Sequence, residues 1–181
     1  MAITGQHTGL TDLPLTPQGE KCTRIRRSVE GNSVCQSVTS PLQRARQTCA
    51  LAGFGSVAEV DGDLVEWDYG EYEGLRSVEI RAKRPDWQLF RDGAPGGESP
   101  AQVMARADSV WKRVRDVSGS VLLFTSGHFI RVLAARWIGL EPSVHGMSFL
   151  LGTASLSAVG YDRDCSNPVI RLWNDTHHVI P

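Results

Sequence analysis

The sequence predicts an α/β fold in three layers, with a mostly parallel central sheet flanked by helices. Three observations predict it. Strand-like and helix-like segments alternate from residue 33 to residue 173. Ser120–Phe124 is an apolar run of strand length, the pattern of a strand buried on both faces. Two strand-like runs, Ser33–Thr39 and Ser120–Phe124, lead directly into helix starts, the junction at which layered α/β sheets collect ligands.

Taken in order, Thr16-Pro17 opens a first helix, with Thr16 as N-cap and Pro17 at the first helical position, expected to run to Val29. Ser33–Thr39 is β-prone, and Ser40-Pro41-Leu42-Gln43 then reads as a capping box. A strand-like pair follows at Val57–Val60 and Leu64–Trp67, then a glycine-punctuated loop, Gly70–Gly74. Glu79–Arg84 reads as a helix stopped by Pro85. Ser99-Pro100 starts the most regular helix, with Val103, Ala107, Val110, Val114 and Val117 at alternating steps of four and three. Ile130, Leu133, Ala134 and Trp137 trace one face of another helix, and Thr153–Tyr161 and Val169–Trp173 read as closing strands. No repeat or linker interrupts the series, so residues 1–181 are read as a single domain.

Composition narrows the function. A chain of 181 residues with 41% apolar and 22% charged residues excludes disorder and is long enough for a core without disulfides. Its 19 Lys and Arg against 20 Asp and Glu, a net charge of −1, argue against nucleic acid or a membrane surface as partner. No apolar run reaches spanning length, and the opening lacks the pattern of a secretion signal. Cys22, Cys35, Cys49 and Cys165 are scattered without metal-ligand spacing, which favours the reducing cytoplasm and a protein with neither metal nor cofactor.

Three segments carry chemistry. In Ser40-Pro41-Leu42-Gln43-Arg44, an arginine sits in the first turn of a helix that follows a strand. Unpaired N–H groups, the helix dipole and the guanidinium together favour an anion there; the alternative is that Arg44 only pairs with a surface carboxylate. In Leu64–Gly74, Glu66 lies among Trp67, Tyr69 and Tyr72. Such surroundings disfavour the charged carboxylate and suit it to donate a proton to a leaving oxygen, whereas Asp68, Glu71 and Glu73 read as solvated charges. In Ser126-Gly127-His128, the imidazole sits in a first helical turn, where the dipole favours its neutral form; packing alone would also account for it. His145, His177 and His178 have no partner that the sequence names.

These segments, in this order, resemble the histidine phosphatase superfamily, the phosphoglycerate-mutase-like proteins. Gly5–Glu20 is similar to the family's segment after its catalytic loop, Ser40–Ala45 to its phosphate-arginine helix, and Glu66–Gly74 to its acid loop; Gly96–Ser99 and Thr153–Ser155 also fit. The resemblance implies a phosphohistidine mechanism. A histidine in a Leu-x-Arg-His-Gly motif ending the first strand attacks the phosphoryl group, two arginines and a second histidine hold its charge, and a glutamate protonates the leaving oxygen. It further implies that Arg44 is one arginine, Glu66 the acid, Thr8 and Gly9 the substrate loop, and Tyr69, Gly127 and His128 phosphate or substrate contacts.

Two departures follow from the same resemblance. The Arg-His-Gly motif is absent, so the domain is expected to lack its first strand, near the middle of the sheet, and to be N-terminally truncated relative to the family. Ser126 stands where the family carries its second histidine, immediately before the glycine. Three accounts fit: a start placed too late, leaving a weak phosphatase; a pseudophosphatase that binds phosphate or a partner; or a decaying reading frame. His7 or His128 as a replacement nucleophile is a fourth. The short Gly74–Gly96 segment lacks the paired arginines of mutases, and Trp67 and Phe90-Arg91-Asp92-Gly93 are similar to the acid-phosphatase and sugar-bisphosphatase branch. The implied partner is a small phosphorylated metabolite; a homodimer is admitted.

Overall fold

The computed structural model describes residues 5–22, 34–163 and 166–178. Its elements are α1 (Pro17–Cys22), β1 (Val34–Thr39), α2 (Gln43–Leu51), β2 (Glu59–Val60), α3 (Ser77–Lys83), α4 (Leu89–Asp92), α5 (Pro100–Val114), β3 (Ser120–Phe124), α6 (Gly127–Trp137), α7 (Pro142–His145), β4 (Leu156–Tyr161) and β5 (Pro168–Asp175). The fold is α/β, a parallel sheet between layers of helices. β1 lies between β2 and β3, parallel to both, with Val38 opposite Glu59 and Thr39 opposite Phe124.

Strand alternation builds the layers. Leu122 and Phe124 pack with Ala45, Cys49 and Ala52 of the α2 segment on one face. Val121, Leu123 and Val38 pack on the other, with Val103, Ala107 and Val110 of α5 and Phe129, Val132 and Leu133 of α6. α5 begins as its sequence requires: the Ser99 hydroxyl accepts from the Gln102 N–H, the Gln102 side chain accepts from the Ser99 N–H, and Pro100 is first in the helix. In α1, the Thr16 hydroxyl accepts from the Gly19 N–H. The expected continuation of that helix to Val29 lies outside the described residues.

Three sequence expectations change. Ser120–Phe124 is a strand, but Val121, Leu122 and Leu123 are only half-buried. The reason is topological: β1 covers one edge of β3, and among the described residues no strand covers the other. Leu64–Trp67 is not a strand; a short 3-10 turn at Gly62–Leu64 leads into extended chain whose carbonyls are taken by an arginine instead of a ladder. Ser40 does not cap α2, which starts at Gln43 after Leu42; the Ser40 hydroxyl accepts only from the Leu42 N–H, at 3.4 Å.

β4 and β5 form a separate antiparallel hairpin, with Val159 opposite Ile170. An aromatic column holds it to the helices: Trp111, Trp137 and Tyr161 stack with centroids 4.7 and 5.0 Å apart, and the Trp137 indole donates to the Gly160 carbonyl at 2.9 Å. Trp137→Ala should therefore destabilise the protein by about 3–5 kcal/mol in urea unfolding. Hydrogen exchange should rise more at Leu156–Tyr161 than in α2; equal loosening of both would show that the column does not anchor the hairpin.

Candidate active site

The loop that carries Glu66 is shaped from α5. Arg106 donates through Nη1 to the carbonyls of Asp63 and Val65, both at 2.8 Å, and through Nη2 to the carbonyl of Glu66. It also pairs two-pronged with the Glu98 carboxylate at 2.9 and 2.7 Å, its guanidinium lying 4.1 Å from the Phe129 ring centroid. Glu98 in turn accepts from the Asp68 N–H, and its own carbonyl accepts from the Trp67 indole. Glu66 is buried, 6% exposed. Its carboxylate does not rest on aromatic rings alone: it accepts from the backbone N–H groups of Trp67, Phe129 and His128 at 2.9, 3.0 and 3.1 Å. Two of those donors belong to the first turn of α6, so Glu66 caps that helix, and the Ser126 side chain makes no capping bond.

Arg44 is held in a comparable way. Among the described residues it pairs with no carboxylate; Nη1 donates to the Thr11 carbonyl at 2.9 Å, and Nη2 to those of Gly9 and Thr8 at 2.7 and 3.1 Å. From the other side Glu73 accepts from the N–H groups of Gly9 and Thr11 and from the Thr11 hydroxyl. Glu73 is therefore not a solvated charge, and Asp68 likewise accepts from the Gly70 N–H. The α2 N-terminus, expected to stay open for an anion, carries Asp12: its Oδ1 accepts from the Gln43 N–H at 2.7 Å, and that bond holds its carboxyl below the usual aspartate range. Gly9 admits no side chain, because a Cβ there would overlap the Trp67 carbonyl and the Tyr69 ring.

Around these supports lies a cluster of rings. The Tyr69 hydroxyl is 2.5 Å from His128 Nδ1, and His7 packs 4.7 Å from Tyr69, 5.7 Å from Trp87 and 5.9 Å from His128, with its Nε2 3.1 Å from the Ser77 hydroxyl. Burial pushes His128 down to about 4; Arg131 and His7 add to this, and Glu66 opposes it. Burial also lowers His7, and it raises Tyr69 well above its ordinary value, helped by Glu66 and Glu73. Arg131 lies 4.6 Å from the Phe90 ring centroid and donates to the Gly146 carbonyl.

Glu66, Tyr69, Gly127 and His128 thus come together, with Thr8, Gly9 and Arg44 joined to them through the Gly9–Tyr69 contact; Ser126 directly precedes α6. Sequence reasoning passed over Arg106, gave Glu98 no role of its own, read Glu73 as a solvated charge, and considered His7 only as a replacement nucleophile. Arg106 left a signal: it falls three residues after Val103, inside the apolar stripe of α5, where a cation needs buried partners. The described residues contain no group of three or more His, Cys, Asp or Glu that could hold a metal, and no helix among them is long and apolar enough to cross a membrane.

A layered α/β domain with a carboxylate, an arginine and imidazoles gathered at the carboxyl ends of parallel strands is the architecture of a phosphoryl-group-handling protein of the phosphoglycerate-mutase-like class. Comparison makes the family explicit: the pattern of the histidine phosphatase superfamily (branch 1) matches residues 2–176, and the chain belongs to that family. It is 40% identical over 163 residues to an acid phosphatase of Mycobacterium tuberculosis, covering 87% of this chain and 79% of the relative. It is 35% identical over 170 residues to sedoheptulose 1,7-bisphosphatase of Saccharomyces cerevisiae, covering 76% of this chain and 63%, less than two thirds, of the relative. The solved structure of the open reading frame Rv3214 of Mycobacterium tuberculosis superposes with a TM-score of 0.86 at 36% identity, covering 94% of this chain and 89% of that one.

Two outcomes test this geometry. Arg106→Met should lower the unfolding free energy by about 2–4 kcal/mol, because it leaves a half-buried Glu98 carboxylate and three carbonyls without their donor; a loss below about 1 kcal/mol, the range of exposed pairs, would assign the network a minor role. With His128 at about 4 in the fold and an ordinary histidine at 6.5 in the unfolded chain, the unfolded chain binds the extra proton between those values. Stability should then fall as pH drops through that window, His7 adding the same sign, and His128→Phe should flatten the slope. A melting temperature that rises on acidification over this range would contradict the burial of both rings.

Proposed function

We propose that the protein is a histidine-phosphatase relative of the phosphomonoesterases that act on small sugar phosphates, with little or no turnover as the chain stands. One observation carries the reading: the supporting frame of Glu66, Arg44 and Tyr69 is in place, while Ser126 precedes Gly127 and the sequence contains no Arg-His-Gly. By the family's chemistry the nucleophilic histidine forms the new N–P bond as the ester oxygen leaves with a proton from the glutamate. Ser126 offers a hydroxyl where a second imidazole would hold phosphoryl charge; losing one such donor costs a factor of about 10² to 10³ in rate. The buried thiol of Cys49 supports a cytoplasmic setting.

A second reading is favoured by Arg44, whose charge meets only backbone carbonyls: a non-catalytic phosphate-binding module or interaction surface. The two readings separate in one experiment. The 181-residue chain and a form extended upstream to an in-frame Arg-His-Gly are assayed for phosphate release from an aryl phosphate, each with and without Ser126→His. The first reading expects turnover only in the extended forms, raised by Ser126→His, with an acid-trapped label on the upstream histidine; an inactive extended form rejects it. The binding reading expects inorganic phosphate to raise the melting temperature of the 181-residue chain, and Arg44→Ala to abolish that rise; an equal rise in the variant rejects it.

A further inference from the structure

We propose that Tyr69 is a positioning residue that locks His128 in its neutral Nε2–H tautomer, and that His128 Nε2–H is a hydrogen-bond donor to a phosphoryl oxygen of the ligand. The ligand half rests on the phosphate reading above; the tautomer half rests on hydrogen-bond accounting alone. Tyr69 is 2% exposed, and among the described residues the only partner of its hydroxyl is His128 Nδ1, at 2.5 Å. If Nδ1 carried a proton, that proton would point at the Tyr69 oxygen and the phenol's own proton would have no acceptor, an enclosed orphan that folded proteins avoid. The phenol therefore donates, Nδ1 accepts, and the ring's single proton sits on Nε2.

The surroundings agree from every side. Tyr69 and Glu66 face the ring from the acid loop, His7 from the N-terminal loop, Phe90 from α4 and Arg131 from α6 itself. Burial in this shell favours the neutral imidazole over the cation. Among the described residues His128 Nε2 has no hydrogen-bond partner, so its proton is available to a ligand. The backbone N–H of the same residue is already used by Glu66, which leaves the side chain as its remaining donor. A neutral donor of this kind selects an acceptor by position, while charge is supplied elsewhere by Arg44. It also explains why the second aromatic of the acid loop is a tyrosine: a phenylalanine would fill the same volume and leave Nδ1 unassigned.

Imidazole nitrogen NMR on histidine-labelled wild-type protein tests this directly. The expected spectrum shows His128 with a pyridine-like Nδ1 and a protonated Nε2, unchanged between about pH 7.5 and 5.5. Tyr69→Phe should give a tautomer mixture in which Nε2 loses its majority proton, whereas Ser77→Ala, which removes the His7 partner, should leave His128 as it was. A protonated Nδ1 in the wild type, or an unchanged His128 spectrum in Tyr69→Phe, overturns the positioning role whatever the ligand. Adding inorganic phosphate should move the His128 Nε2–H resonance together with the Thr8–Thr11 amides. Movement of those amides without His128 overturns the donor role while phosphate binding stands; no movement of either overturns the phosphate reading and the donor role with it.

Discussion

The Arg106 guanidinium is the interaction on which the rest of the site depends. One side chain from α5 satisfies the carbonyls of Asp63, Val65 and Glu66 and both oxygens of Glu98, and it lies against the ring of Phe129 in α6. A cation only 11% exposed is tolerable because every neighbour is an acceptor or a ring face. The exposed pairs Arg76–Glu79 and Arg91–Asp92 contribute little by comparison, since water screens them. What Arg106 fixes is the path of the acid loop on both sides of Glu66, and through Phe129 the helix whose first turn Glu66 caps. The loop has no ladder of its own, so without this charge the carbonyls of Asp63, Val65 and Glu66 would lose the donor that the structure gives them.

Electrostatics repeats one device at a second place. Helix α2 has Leu42 at its N-cap position, which offers no side-chain acceptor, and Asp12 reaches it from thirty-one residues upstream. Glu66 serves α6 in the same manner. In both cases a remote carboxylate occupies a helix end that general considerations would leave open for a phosphate. Anion affinity must then come from side chains. Arg44 is aimed by three carbonyls that occupy part of its donor set, and the loop it grips is gripped again by Glu73, so the Thr8–Thr11 backbone is held between a cation and an anion that do not touch each other.

This division of labour sets what the sequence could reveal. Elements whose stability is local or follows a clear period were legible: α5 with its Ser99–Gln102 box, β1, β3 and the closing hairpin stand near where periodicity put them, although α5 ends at Val114 short of Val117 and the hairpin begins at Leu156 and not at Thr153. Features fixed by remote charge were not. Leu64–Trp67 has the composition of a strand, yet Arg106 supplies the partners a strand would have needed. Ser40-Pro41 has the form of a cap, yet Asp12 takes the role. Glu73 looks like surface charge because nothing nearby in sequence shows that Gly9 and Thr11 come to it. Glu66, Arg44 and His128 were singled out from their junctions and Tyr69 from the family resemblance, and the structure brings Glu66, Tyr69 and His128 together, while His7, in a loop with no period, could be placed only by the fold.

The same network gives Glu66, Arg44, Tyr69 and Gly9 reasons to be present that are independent of any reaction. Each retained residue has a structural duty that does not depend on turnover. Glu66 closes the N-terminus of α6, Arg44 ties down the Thr8–Thr11 loop, Tyr69 is a core residue packed against Gly9 and His128, and Gly9 is excluded from carrying a side chain by the Trp67 carbonyl. Replacing any of them would cost folding stability whether or not a phosphoester is ever cleaved. Position 126 differs: its side chain makes no capping bond, because Glu66 already performs that function, so the fold places little demand on it. The presence of Glu66 and Arg44 is accordingly weak evidence for catalysis, since their contacts already account for them.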